Sequence, residues 1–271
     1  MSGQPSQGAT GTVGLSRDGA AAWIRLDRPA ALNALDAAAK QALLDALAEV
    51  AEDPAVRVVA LTGSGRAFCV GQDLRELASL YEGGSTPDFR ARLEEHYNPI
   101  VRLLTGMPKP TVACVNGVAA GAGLSLALAC DLRLASSAAT FALAFTGIGL
   151  IPDAGATWHL PRIVGLGPAL ELALLGERVD AGDALRLGLV SRVWPAGTFA
   201  DEAAATVARL AAGATGAYGL TKRLLRENLG RDLPDALDAE AAAQAKAGAS
   251  ADHREGVAAF LAKRPPTFSG R

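Results

Sequence analysis

Cysteine is scarce, and the few present form no pair that chemistry could use. Cys69, Cys114 and Cys130 are an odd set of three without a CxxC spacing or a neighbouring histidine. That pattern excludes a disulfide framework and a thiolate metal site, and reads as buried thiols in a reducing compartment. His96, His159 and His253 are as isolated, with no metal-ligand spacing and no serine or cysteine partner, so they take surface or supporting roles. Charge of one sign is also missing. The 26 basic and 28 acidic residues are interspersed and leave a net charge of −2, which gives no electrostatic footprint for nucleic acid. No apolar run spans a bilayer: the longest, residues 118–130, is short and punctured by glycine. Residues 1–11 are polar and rich in Gly, Ser and Gln, with neither a basic segment nor an apolar one behind it. They read as a flexible tail, not a targeting signal, and the expected protein is soluble and cytoplasmic.

What is present alternates between strand and helix patterns. With 271 residues, half of them apolar, the chain is long enough for one large α/β domain with or without an appendage. Residues 12–16 and 21–26 flank Arg17-Asp18-Gly19 and predict a β-hairpin. Helical spacing of Ala and Leu predicts helices at 34–52, 74–80 and 88–104, the last stopped before Pro108 and Pro110. Buried strands are expected at 56–61 and 111–115, shorter ones at 132–135, 140–143 and 189–193. Further helices are expected at 121–129, 154–163, 168–175 and 181–187. Beyond Pro195 everything reads as helix. The pattern is a parallel-rich α/β core of residues 12–197 followed by a helical region of residues 198–271. That tail is rich in Ala and Leu and poor in large apolar groups, so packing against other subunits is a reasonable supplement to its stability.

Two small-residue loops carry the chemistry. Gly121-Ala122-Gly123 follows the strand at 111–115 and opens an apolar helix, leaving backbone N–H groups free at a helix N-terminus, where negative charge is favoured. The loop from Arg66 to Leu74 follows the strand at 56–61 and can bring a second N–H to the same place. Two such donors make an oxyanion hole, although each loop alone reads equally well as a tight turn. A lone carboxylate, Asp153, stands at the mouth of a later helix, where an N-cap is the plain alternative.

Four ordered stretches, AFCVGQDL, VNGVAAGAGLSLALACDLRLAS, GLIPDAGATWHLPRIVG and DHREGVAAFLAKRPP, resemble the enoyl-CoA hydratase/isomerase (crotonase) family over nearly the whole chain. The resemblance implies an α/β fold with a repeated ββα spiral core and a C-terminal helical trimerisation region, assembling as a homotrimer or a dimer of trimers. It implies an acyl-CoA thioester substrate, with coenzyme A carried by the substrate and no separate cofactor or metal. The N–H groups of Gln72 and Ala122 map to the oxyanion donors that stabilise a thioester enolate. Family hydratases activate water with two glutamates, whose positions are Ser125 and Phe145 here, so two-carboxylate hydration is disfavoured. Asp153 falls where isomerase and dehalogenase branches place an acid/base or nucleophilic aspartate. The dehalogenases also need a tryptophan at the place of Phe145, which leaves isomerisation, of a ring epoxide of phenylacetyl-CoA or of an enoyl double bond. A non-catalytic relative is the remaining alternative. The resemblance also assigns coenzyme A contacts to Arg28, Val70, Gly71, Asp73, Phe260 and Lys263, with Arg75 as a lesser phosphate candidate. For Arg28 and Lys263, solvated surface charge is the plain alternative. Phe141, Phe145 and Trp158 are candidates for lining an apolar acyl pocket, with core packing the competing assignment.

Overall fold

The computed structural model describes residues 11–84 and 86–270, so the expected tail, apart from Gly11, lies outside the described residues. The Asp18-Gly19 turn joins β1 (Val13–Asp18) to β2 (Ala21–Leu26), with Asp18 opposite Ala21 and Gly19 at φ 55°. Helix α1 (Ala37–Glu52) starts three residues later than the 34–52 expected from its Ala/Leu pattern. Asp36 is its N-cap, accepting from the Ala39 N–H, so residues 34–35 stay outside the helix. Then come β3 (Val58–Gly63), β4 (Ala67–Cys69) and α2 (Leu74–Glu82), capped by Asp73.

The helix expected at 88–104 is not uniform. It divides into α3 (Phe89–Arg92), a π turn over Leu93–Tyr97, and α4 (Asn98–Gly106). Pro99 lies in the first turn of α4 and has no N–H to return to the preceding turn, and the Asn98 N–H reaches back to the Leu93 carbonyl in the wider register.

Next are β5 (Thr111–Val115), β6 (Val118–Ala120), α5 (Ala122–Ala129), β7 (Leu132–Ser136) and β8 (Thr140–Ala142). They are followed by α6 (Ala156–Val164), α7 (Leu166–Leu175), β9 (Val179–Asp180), α8 (Ala181–Arg186) and β10 (Arg192–Trp194). The chain closes with α9 (Phe199–Ala211), α10 (Thr215–Glu227), α11 (Leu233–Gly248) and α12 (Ala251–Leu261).

The strands form a six-stranded sheet, β1-β2-β3-β5-β7-β10, and a four-stranded one, β4-β6-β8-β9. Beyond the hairpin the large sheet is parallel, and β3 and β5 are buried on both faces, as their continuous apolar runs require. One face, with Val59, Leu61, Ala113 and Val115, packs on α1, α4 and α5. The other, with Val58, Ala60, Val112 and Cys114, is covered by Phe199, Ala203 and Val207 of α9. All eight residues of α5 are buried, which is why that helix is apolar all round.

In the second sheet β8 lies where a strand is expected, and its other three strands depart from expectation. Residues 67–69 read as loop, and residues 118–119 and 179–180 carry no expected element, but they pair within β4, β6 and β9, segments of two or three residues in which no period-two alternation can register. Helices α10, α11 and α12 bury little of themselves: Leu233, Leu237, Phe260 and Leu261 are all exposed. No helix among the described residues is long and apolar enough to cross a membrane. All three thiols are buried and unpaired, and burial pushes their pKa values up.

Candidate active site

A cavity of about 160 Å³ lies where the two small-residue loops meet, and Gln72, Ala122, Phe145 and Asp153 all line it. The loops touch because Gly71 allows it. Gly71 has φ 86°, and a Cβ there would stand 2.8 Å from the Ala122 nitrogen and 3.1 Å from the Ala120 carbonyl oxygen. On the other side, a Cβ at Gly123 would lie 2.2 Å from the Cys69 carbonyl oxygen, so α5 seats directly on β4.

Both N–H groups assigned to the oxyanion hole are free. The backbone on either side of Gln72 bonds Leu35, through Leu35 N–H to the Gly71 carbonyl at 2.7 Å and Asp73 N–H to the Leu35 carbonyl at 3.1 Å. Strand-like alternation turns the Gln72 N–H away from Leu35. Ala122 is the first residue of α5, behind Gly121 at φ 51°, so its N–H has no acceptor within the helix. Among the described residues neither group donates to a protein acceptor.

Asp153 is held by a sharp backbone reversal. Ala154 and Gly155 take positive φ values of 49° and 80°, and for Ala154 that conformation is strained. The carboxylate is not the cap of the following helix: the N-cap of α6 is Gly155, with no side-chain cap bond, so the N-cap alternative for Asp153 does not hold. Its Oδ1 is buried and has no hydrogen-bond partner among the described residues. Burial pushes its pKa up to about 6, because the site offers the charged form little solvation. Asp153 is also the one carboxylate among the described residues lining this cavity. Ser125 is fully buried and returns its hydroxyl to the Gly121 carbonyl at 3.3 Å.

A polar network absent from the sequence reading lies behind the Gln72 side chain. The amide oxygen accepts from Lys40 Nζ and from the Tyr97 hydroxyl, both at 3.1 Å, while the amide nitrogen donates to Glu76 at 2.6 Å. Glu76 in turn pairs with Lys40 at 3.7 Å and Arg92 at 3.4 Å. Lys40 is 1% exposed, a burial tolerated only because its ammonium is paired and hydrogen-bonded. Four elements supply these groups, and the separations along the chain carry no motif. The one sequence signal was a lysine at a core-facing position of α1.

The other predicted residues are placed as follows. Val70 lines the cavity, next to Gly71. Arg28 pairs with Asp36 at 2.9 Å and Asp73 at 3.0 Å and donates to the Ala34 carbonyl, so its charge is matched within the protein and ties the loop to α1. Arg75 is exposed at the start of α2. Phe260 (83% exposed) and Lys263 stand at the end of α12 and do not line the cavity. Two aromatic candidates are corrected. Phe141 is a core residue at 1% exposure, and Trp158 is turned outward under the Arg162 guanidinium, 4.2 Å from its ring centroid. Neither lines the cavity. His159 is packed against Thr105, with its pKa pushed down to about 4 by burial. No cluster of three metal-ligating side chains occurs among the described residues.

Comparison with known proteins agrees with this architecture. The family model described as enoyl-CoA hydratase/isomerase matches residues 16–271. A protein from Rhodobacter capsulatus named "Probable enoyl-CoA hydratase" is 46% identical over 92% of this chain and 95% of its own. The 1,2-epoxyphenylacetyl-CoA isomerase of Escherichia coli is 43% identical over 92% and 94%. The crystal structure of the enoyl-CoA hydratase from Bacillus anthracis superposes with a TM-score of 0.88 at 32% identity, covering 96% of this chain and all of that one. The α/β fold, with its repeated strand and helix core and C-terminal helices, and the matched sequence lead to one conclusion: this chain belongs to the enoyl-CoA hydratase/isomerase family.

Proposed function

We propose that this protein is an acyl-CoA isomerase in which Asp153 moves a proton between two carbons of a thioester enolate. The observation that carries the proposal is a half-buried carboxylate, the one carboxylate among the described residues lining the cavity, with its buried Oδ1 unpartnered and two free backbone donors beside it. The thioester carbonyl oxygen is held by the N–H groups of Gln72 and Ala122. Asp153 takes a proton from a carbon conjugated to that carbonyl, the C–H electron pair delocalises onto the oxygen, and the resulting carboxyl, free to exchange its proton with solvent, returns a proton to a different carbon. No atom is gained or lost, so the product is an isomer of the substrate. Double-bond migration in an enoyl-CoA and conversion of 1,2-epoxyphenylacetyl-CoA to its oxepin both fit, and the Escherichia coli relative supports the second.

Hydration is the second reading, and the name of the Rhodobacter capsulatus relative favours it. It requires carboxylates that activate water, yet Ser125 and Phe145 stand at the two positions where family hydratases carry them. Turnover of a 3-enoyl-CoA, epoxyphenylacetyl-CoA, crotonyl-CoA and 4-chlorobenzoyl-CoA separates the readings. Isomerisation of either of the first two without hydration of the third is expected, and efficient hydration of crotonyl-CoA alone reverses the assignment.

The pH profile follows from the same residue. As a base Asp153 must be ionised in the free enzyme, so kcat/KM is expected to fall about tenfold per pH unit below its pKa of about 6. A profile flat down to pH 4.5 removes Asp153 from the mechanism.

Coenzyme A contacts are carried over from the family resemblance to Arg28, Val70, Gly71 and Asp73, with Phe260 of α12 and Lys263 just beyond it contributing across a subunit contact. The helical region of residues 198–271 is accordingly the proposed oligomerisation layer, supported by the exposed Leu233, Leu237, Phe260 and Leu261. Light scattering is expected to give three or six times the chain mass, and a monomer contradicts the assignment.

A further inference from the structure

The acyl side of the cavity carries a donor that a plain hydrocarbon substrate leaves unused. Arg92 lines the cavity with Tyr97, among Phe89, Leu93 and Phe145. On an α-helix residues five apart point about 140° away from each other. The π turn over Leu93–Tyr97 follows Arg92 directly and ends on Tyr97, and both side chains reach the same space. Glu76 takes one end of the guanidinium, at 3.4 Å from Nη2. Nη1 is buried and has no acceptor among the described residues. A buried donor left without an acceptor is destabilising, and such groups are rare unless a ligand completes them.

We infer that Arg92 is a specificity-determining residue that selects acyl groups carrying a neutral, hydrogen-bond-accepting oxygen, a hydroxyl, ether or epoxide, over hydrocarbon acyl groups of the same size. The inference rests on the acyl-CoA reading above and narrows its substrate class. Neutrality follows from charge. Glu76 already pairs with Arg92 and Lys40, and Asp153 lines the same cavity as Arg92, so a substrate carboxylate there would be a second negative charge in the cavity of Asp153. A cavity built to donate to an oxygen penalises the analogue that lacks it, because the donor then stays unpaired.

The test is equilibrium binding, which needs no turnover. Calorimetric titration of the full-length protein would compare 2-hydroxyphenylacetyl-CoA with phenylacetyl-CoA. The wild type is expected to bind the hydroxylated ligand at least about tenfold more tightly, a difference of the size one buried charged hydrogen bond supplies. Arg92→Met is expected to lose that preference while retaining phenylacetyl-CoA, and Arg92→Gln repeats the comparison if the methionine variant does not fold. Equal binding of the two ligands by wild type, or an undiminished preference in a folded Arg92 variant, overturns the inference. So does a tenfold preference for adipyl-CoA over hexanoyl-CoA, which would make the reader a carboxylate site. Asp153→Asn is expected to keep the preference. A wild type that shows the preference but does not isomerise refutes the isomerase reading alone.

Discussion

Replacing Asp153 by asparagine is expected to remove isomerisation and, above pH 6, to make the folded protein more stable. The first effect is loss of the base: asparagine cannot accept and return the proton, and a positioned general base contributes roughly 10²–10⁴-fold. The second follows from the raised pKa. A carboxyl that titrates near 4 when unfolded and at about 6 when folded holds its proton more tightly in the native state. Its favourable contribution is complete below pH 4 and is lost as pH rises through 6, beyond which the native state carries a half-buried carboxylate whose Oδ1 has no partner. Two pH units correspond to at most about 3 kcal/mol, and after the amide's own unsatisfied groups are counted the net gain is on the order of 1 kcal/mol. Since Gly155, not Asp153, is the N-cap of α6, no cap energy is lost to offset it. Thermal unfolding at pH 8 and at pH 3.5 checks the sign: the variant's advantage should be present at the first and absent at the second. A variant that is less stable than wild type at pH 8 contradicts the buried-carboxylate account, and one that isomerises at the wild-type rate places the base elsewhere.

Ala122→Pro is expected to lower turnover by roughly 10²-fold or more while leaving the helix in place. Proline removes the N–H and nothing else that the reaction uses, and loss of one oxyanion donor has effects of this size. The position tolerates it, because Ala122 is the first residue of α5, where proline's fixed φ suits a helix start and its missing N–H breaks no helical bond. The effect should fall on kcat more than on KM, since the donor is engaged most strongly as charge develops on the oxygen. Ala122→Gly keeps the donor and should retain activity. Circular dichroism separates loss of the donor from loss of the fold, and a folded proline variant with wild-type kcat removes Ala122 from the oxyanion hole.

Much of this architecture was legible where local signals were strong. The Asp18-Gly19 turn, the Ala/Leu spacing of α1 and the apolar runs of β3 and β5 each predicted the element that formed. The two glycine loops were legible for the same reason: Gly71 and Gly121 occupy positive φ, which few other residues adopt. Illegible were the features made by tertiary contact alone. Strands β4, β6 and β9 are too short to show a period. The π turn depends on Pro99 meeting a helix that is otherwise regular in pattern. Lys40, Gln72, Glu76, Arg92 and Tyr97 come from separate elements and form a network only when α1 and the turn beyond α3 pack on the same loop. Asp153 is marked by the family resemblance as an acid/base, while its position before a helix reads equally as a cap; the reversal at Ala154 and Gly155, which takes it out of the cap position and leaves its Oδ1 without a partner, has no sequence signal. Phe141 and Trp158 could not be told from Phe145, since a large aromatic has the same pattern in a core, on a surface or in a pocket.

The central claim is that Asp153 carries one proton between two carbons with no water consumed. Its most direct test is turnover of a 3-enoyl-CoA in water labelled with both deuterium and oxygen-18, followed by mass spectrometry of the acyl-CoA. The account predicts an isomeric product that gains deuterium from exchange at Asp153, gains no oxygen-18, and forms at a rate that collapses in Asp153→Asn. A product one labelled water heavier, formed equally by the asparagine variant, would contradict it.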